Sequence, residues 1–331
     1  MSPNLLVRIV TTYFKLFVKI YIWNKSESNK LIAELNGNLE TITFDKETAT
    51  RIKAYTTQSA LTNSWFSTLR GTPTSSLEQK AALYTGAITP LLDDLTDVSK
   101  EPSAEIWKNI SNKDVQHSIH EFPTIVYLNK KLHTLCNDHF HGVFREVLIA
   151  QDTSIKQIKN DPLTTDELIQ ITKHKGGKAT LLYRLILDNH LVKGEEIACL
   201  ILGFLLQIIN DAFDIFKDHQ DRQQTLLTKT NDISSIYQLF LKNEHDFLLH
   251  WSGLPYKKSN ILKSLIEIST ILSRGHVCFN QLIKLQEESK GNFELNKFSR
   301  SQLICDMEKP INIWRSLQYS RQILSKFSEF R

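Results

Sequence analysis

Gly203-Phe-Leu-Leu-Gln207-Ile-Ile-Asn210-Asp211-Ala-Phe-Asp214-Ile-Phe-Lys-Asp218 is a strongly apolar run that acquires a polar stripe. Gln207, Asn210, Asp214 and Asp218 follow one another at spacings of three, four and four, so a helix carries all four on one face. Leu205, Leu206, Ile208, Ile209, Phe213 and Phe216 are left to supply the packing. Three oxygen ligands on such a helix are costly to bury without a cation, although polar side chains can also satisfy one another across helices. The run therefore predicts a core helix with a metal-binding face.

Helical spacing extends well beyond this run. Only 11 Gly and 8 Pro occur in 331 residues, too few turn formers for a many-stranded β protein, and the chain reads as all-α. Helices are expected at about 4–23, 44–68, 76–98, 104–119, 124–151, 164–190, 194–220, 230–250, 257–287 and 308–329. Nothing marks a domain linker, and short joints such as Leu191-Val-Lys193 favour antiparallel neighbours in one bundle. The expected organisation is an N-terminal amphipathic helix over residues 1–25 followed by one helical domain over 26–331.

Charge and cysteine usage narrow the function classes. Forty Lys and Arg against 36 Asp and Glu leave a net charge of +4, which gives no electrostatic reason to expect a nucleic acid partner. Cys136, Cys199, Cys278 and Cys305 are scattered, with no CxxC, so neither a zinc site nor a disulfide framework is expected and a reducing cytoplasm fits best. His133, His139 and His141 cluster around Cys136 without a clean helical metal face, and packing or surface roles are expected of them. No P-loop, GxGxxG, GxSxG or HExxH string occurs.

Leu5 to Trp23 is apolar enough to suggest a signal or a membrane span, but Arg8, Thr12, Lys15 and Lys19 fall at spacings of four, three and four on one side of a helix. That is an amphipathic helix, either packed on the core or lying at a membrane interface. The oligomeric state, homodimer included, stays open.

A second acidic constellation is Leu91-Leu-Asp93-Asp94-Leu-Thr-Asp97, near the end of a helix that starts around Ser76. Asp93 and Asp97 share a face, with Asp94 beside them, and carboxylates so spaced can hold magnesium, which keeps several waters and takes further oxygens from phosphate. Alone, such a string is more often a solvated face. Two acidic helices make the stronger case, because a magnesium–diphosphate cluster needs ligands from two walls of a cavity.

With both motifs in view, the chain resembles the class I isoprenoid synthases: trans-prenyltransferases, squalene and phytoene synthases, and terpene cyclases. Asp93-Asp94-Leu-Thr-Asp97 is similar to the DDxxD of prenyltransferases and cyclases. Gly203, Gln207, Asn210, Asp214 and Asp218 follow the G-x3-Q-x2-N-x3-D-x3-D register of phytoene synthases. Asn210-Asp211-x2-Asp214-x3-Asp218 is also similar to the cyclase pattern N-D-x2-S/T-x3-E, with both variable ligands changed to Asp. Lys175-Gly176-Gly177-Lys178 resembles the glycine-bearing helix break of these families, and Gln151 resembles the Gln or Asp that ends the preceding helix.

The resemblance implies a single orthogonal helical bundle with a central active-site cavity. It implies Mg2+ ions held by Asp93, Asp94, Asp97, Asn210, Asp214 and Asp218, and a prenyl diphosphate as substrate. Lys175 and Lys178, with Arg222, Arg315 and Tyr319, are expected to hold the diphosphate, and Gln207 and Gln151 to support the ligands. The glycines predict a kink or a close approach to the ligand. Phe213 stands where phytoene synthases carry Arg, and no Gly-Gly-Lys-Arg segment precedes the first motif, so elongation with isopentenyl diphosphate is disfavoured. Terpene cyclisation is placed ahead of head-to-head condensation, and a catalytically silent scaffold is the rival from another class.

Overall fold

The computed structural model describes residues 3–38, 44–99, 102–111, 121–158, 161–327 and 329, and the description of Asp97 extends to its backbone alone. Every regular element among them is helical, as the composition requires. The elements are α1 (Pro3–Trp23), a π-helical turn (Asn24–Ser28), α2 (Asn29–Asn38), α3 (Lys46–Arg70), α4 (Ser76–Ser99), α5 (Ser103–Ser111), α6 (Phe122–Leu135), α7 (Asp138–Ser154), α8 (Thr165–Leu185), α9 (Glu195–Phe213), α10 (Ile215–Gln220), α11 (Ile233–Ser252), α12 (Lys258–Glu288), α13 (Arg300–Leu303) and α14 (Pro310–Phe327). Two compact units form: Met1–Tyr13, Ser154–Thr180 and Val192–Arg331 make the first, and Phe14–Thr153 with Leu181–Leu191 the second.

Four departures from the expected helices stand out. The expected helix over 124–151 is two, because the Asn137 side chain accepts the Phe140 N–H at 3.0 Å and starts α7 afresh. The expected helix over 164–190 stops at Leu185, where Arg184 donates to the carbonyls of Asn189 (3.3 Å) and His190 (3.4 Å). The expected helix over 194–220 is interrupted at Asp214, at φ −91° and ψ 5°. Finally α2, with Leu31 and Leu35 buried, was not anticipated. The far end of the helix expected at 104–119 lies outside the described residues beyond Ser111.

In the first unit α9 packs against α11 and α12, and α12 against α14. By length and composition α9 could cross a membrane, but 56% of its apolar window is buried, as in a core helix. A buried ion network ties α11, α12 and α14. Glu244 is fully buried and accepts from His276 Nε2 at 2.6 Å and Lys326 Nζ at 2.9 Å. Burial pushes the Glu244 carboxyl up, but hydrogen bonds and charge from His276 and Lys326 outweigh it and leave it below the ordinary value. A depressed carboxylate adds stability above its unfolded value, and that stability is lost as pH falls through the folded value. Glu244→Gln is therefore expected to cost about 2–4 kcal/mol at pH 7, and the difference from wild type to shrink as pH falls below the unfolded carboxylate value and to vanish below the lowered folded one, as read by denaturant unfolding across pH.

The second unit is built on α3, α4 and α6. Asp45 caps α3 through the Thr48 N–H at 2.7 Å, and Gly71 ends it at φ +78°. Arg70 makes a two-pronged pair with Glu78 at 2.6 and 2.7 Å, and Glu78 also accepts the Asp188 N–H at 3.0 Å. That pair joins the end of α3 to the start of α4. Gly86 then lets the two helices touch, since a Cβ there would lie 2.5 Å from Thr56 Cα.

Candidate functional site

The acidic run of the first unit is organised by a crossing of α8 and α9. A Cβ on Gly203 would lie 2.1 Å from the Gly176 carbonyl oxygen and 2.6 Å from Gly177 Cα. Reciprocally, one on Gly176 would lie 2.1 Å from the Gly203 oxygen. The expected break at Gly176-Gly177 is thus absent. The helix runs unbroken from Thr165 to Leu185, and its glycines serve backbone-to-backbone contact.

One residue before this crossing, half-buried Lys175 exerts its charge on both Asp211 and Asp218. Gln207 Nε2 donates to Asp211 Oδ1 at 2.8 Å, and Asn210 Nδ2 to Asp214 Oδ2 at 3.2 Å. Asp211 and Asp218 are buried and Asp214 half-buried, whereas Asn210 is exposed. Asp218 is pushed up to about 7 by burial and then by the charges of Asp211 and Asp214, with Lys217 and Lys175 offsetting part. Asp211 is pushed up to about 6 by burial, with Gln207 and Lys175 pulling down and Asp214 pushing up. Burial also raises Asp214, against Lys217 and Asn210.

The polar face consequently differs from the one expected. Asp211, absent from the expected ligands, lies among the buried carboxylates. The alternative spacing was present in the sequence, because Gln207, Asp211, Asp214 and Asp218 are separated by four, three and four. Neighbouring Asn210 and Asp211 both satisfied helical periodicity, and only packing chose between them.

In the second unit Asp93 accepts the Tyr55 hydroxyl at 3.2 Å. Asp94, expected to be a metal ligand, pairs with Arg51 of α3. Repulsion by Asp93, then burial, drives the Tyr55 phenol well above its ordinary value. Buried Tyr183 is pushed up to about 12, by burial first and by Asp93 to a lesser degree, while Thr89 pulls the other way. Arg51, Tyr55 and Tyr183 were not anticipated as neighbours of the first motif, since nothing in their local sequence ties them to it. Asp97 lies on α4, and its side chain is outside the described residues.

Among the remaining expected residues, Lys178 and Gln151 are half-buried, and Arg315 is exposed on α14. Arg222 is exposed and holds a left-handed backbone at φ +56° beyond α10. Tyr319 stacks on His276 at 4.9 Å, and the Tyr237 hydroxyl bonds His276 Nδ1 at 2.7 Å, so Tyr319 belongs to the Glu244 network. His133 and His141 stack on each other at 3.9 Å, a packing role as expected. None of the four cysteines is in a disulfide.

Among the described residues no three His, Cys, Asp or Glu side chains converge as a ready-made metal site. Magnesium does not require one, because it is commonly held by one or two carboxylates, waters and substrate phosphate. The chemistry of the donor set fits it: oxygen donors only, partly desolvated, mutually repelling and incompletely offset by two lysines.

Comparison with known proteins adds a structural likeness. No protein-family model and no curated protein matches the chain. Among solved structures it is similar to a crystal structure of a dehydrosqualene synthase in complex with ligand, at 11% identity and a TM-score of 0.43 over 92% of this chain and 99% of that one.

Proposed function

We propose that the protein is a class I isoprenoid synthase that ionises an allylic prenyl diphosphate with magnesium. The carrying observation is the desolvated Asp211, Asp214 and Asp218 carboxylates beside Lys175, an arrangement suited to a hard cation and a polyanion together. Asp214 and Asp218, with Asn210 as a neutral oxygen donor, would hold ions on this unit, and the resemblance gives Asp93 and Asp97 of the first motif the same role. Bound magnesium would supply charge to the departing pyrophosphate.

The chain's own residues do the rest. Gln207 holds Asp211 in place by a hydrogen bond to Oδ1. Lys175 and Lys178 supply ammonium donors to the diphosphate oxygens, with Arg222 as a further donor. In the reaction the allylic C–O bond breaks heterolytically and its electron pair leaves with pyrophosphate. Exclusion of water by apolar walls then decides whether the allylic cation forms carbon–carbon bonds or is hydrolysed.

Cyclisation rests on the Asn210-Asp211 pattern. Head-to-head condensation is favoured by a separate observation: Gln207, which belongs to the phytoene synthase register and not to the cyclase pattern, bonds directly into the carboxylate cluster. Product mass distinguishes the two. Purified protein incubated with geranyl, farnesyl or geranylgeranyl diphosphate is expected to release pyrophosphate with magnesium, and not with EDTA or as Asp214→Ala. A hydrocarbon of doubled carbon count means condensation. If Asp93→Ala and Asp214→Ala each lower release to a measurable residual rate and the double variant is no slower than the slower single, the two motifs act in one reaction. Failure to release pyrophosphate from any of the three would overturn the assignment and favour the silent scaffold.

A further inference from the structure

Helix α1 carries two apolar faces instead of one. Ile9 and Leu16 are buried, as expected of a helix packed on its own core. On the other side Phe14 and Phe17 are each 68% exposed and Ile22 is 58% exposed, with exposed Val7 and Val10 one to two turns earlier on the same helix. At about 100° per residue, Val7, Val10, Phe14 and Phe17 occupy a sector of roughly 80°, next to a stripe formed by Arg8, Lys15 and Lys19. No Asp or Glu occurs between residues 3 and 23.

Within the second unit this outer face has relief. Phe14, Val18, Ile22 and Trp23, edged by Lys15 and Lys19, line an open groove of about 420 Å³ that ends at Glu27. Glu27 is paired with Lys30 at 3.0 Å. Two exposed phenylalanines among exposed aliphatic side chains, bordered by cations, have the composition of a helix lying in a lipid headgroup layer.

We infer that α1 docks the protein onto an anionic lipid surface, with Phe14, Phe17 and Ile22 entering the acyl boundary and Arg8, Lys15 and Lys19 meeting the headgroups. Charge selects this occupant over a second copy of the helix, which offers the basic stripe no acidic partner. The inference is independent of the proposed enzymatic reaction, since vesicle binding needs no turnover.

The test is flotation of the full chain with phosphatidylcholine vesicles, with and without phosphatidylglycerol. Wild type is expected to float with the anionic vesicles and to be released by high salt. Phe14→Glu/Phe17→Glu should lower binding by at least about tenfold, and Lys15→Glu/Lys19→Glu by about tenfold for anionic vesicles alone. Phe14 and Phe17 are exposed, so the thermal melt of the Phe pair should match wild type; if that pair fails to fold, the Lys pair carries the test. Wild type that stays at the bottom with anionic vesicles, or a Phe pair that floats like wild type, overturns the inference. A dimer in sedimentation that the Phe pair disperses, without vesicle binding, would overturn it in favour of self-association.

Discussion

Asp218→Asn is expected to make the metal-free protein more stable while destroying magnesium-dependent pyrophosphate release. Its carboxyl stands at about 7 because burial and two neighbouring aspartates oppose its charge. A group raised above its unfolded value, about 4 for Asp, contributes stability below that value and loses it as pH rises through the folded one. Metal-free wild type should therefore lose stability between about pH 4 and 8. The Asn variant, nearly isosteric and uncharged, should flatten that loss and gain on the order of 2 kcal/mol at pH 8. Magnesium should raise the melting temperature of wild type and leave the variant nearly unmoved, because binding to the native state alone is what stabilises it. Release should drop on the order of 10²–10³-fold. A variant less stable than wild type at pH 8 without metal would show that the carboxylates form a satisfied structural network instead.

Gly203→Ala should have the largest effect on stability, with a sign opposite to helix propensity. In an ordinary helix interior this change gains about 1 kcal/mol. Here the new Cβ would meet the Gly176 oxygen at 2.1 Å and Gly177 Cα at 2.6 Å. These are backbone atoms of a second helix and cannot rotate away, so α8 and α9 must separate. A net loss of about 3 kcal/mol or more is expected in chemical denaturation. Gly176→Ala should cost a similar amount, and the pair less than the sum, since the first substitution already opens the crossing. Lys175 is adjacent to the contact, so diphosphate binding should weaken with it. An unchanged or raised denaturation midpoint for Gly203→Ala would mean the crossing is looser than the geometry shows.

The two acidic segments differ in how much of their chemistry was legible. For Gln207, Asp214 and Asp218 the helical period against a strongly apolar background put them on one face, and the structure keeps Gln207 beside the buried aspartates. Asp211 was hidden because adjacent residues 100° apart can both claim a face, and only the packing around α9 settles which one is buried. Asp94 illustrates the converse: its position in a DDxxD string suggests metal, while the pairing with Arg51 depends on a helix forty residues earlier.

All-helical class, the acidic helices and the two-sided character of α1 follow from composition and period, because the positions of apolar and charged residues along one helix depend on local geometry alone. Which glycines let helices touch, which aspartates lose water, and which cations or phenols stand beside them were decided only by tertiary structure. Desolvation and close approach depend on neighbours distant in the chain, and no local spacing encodes them.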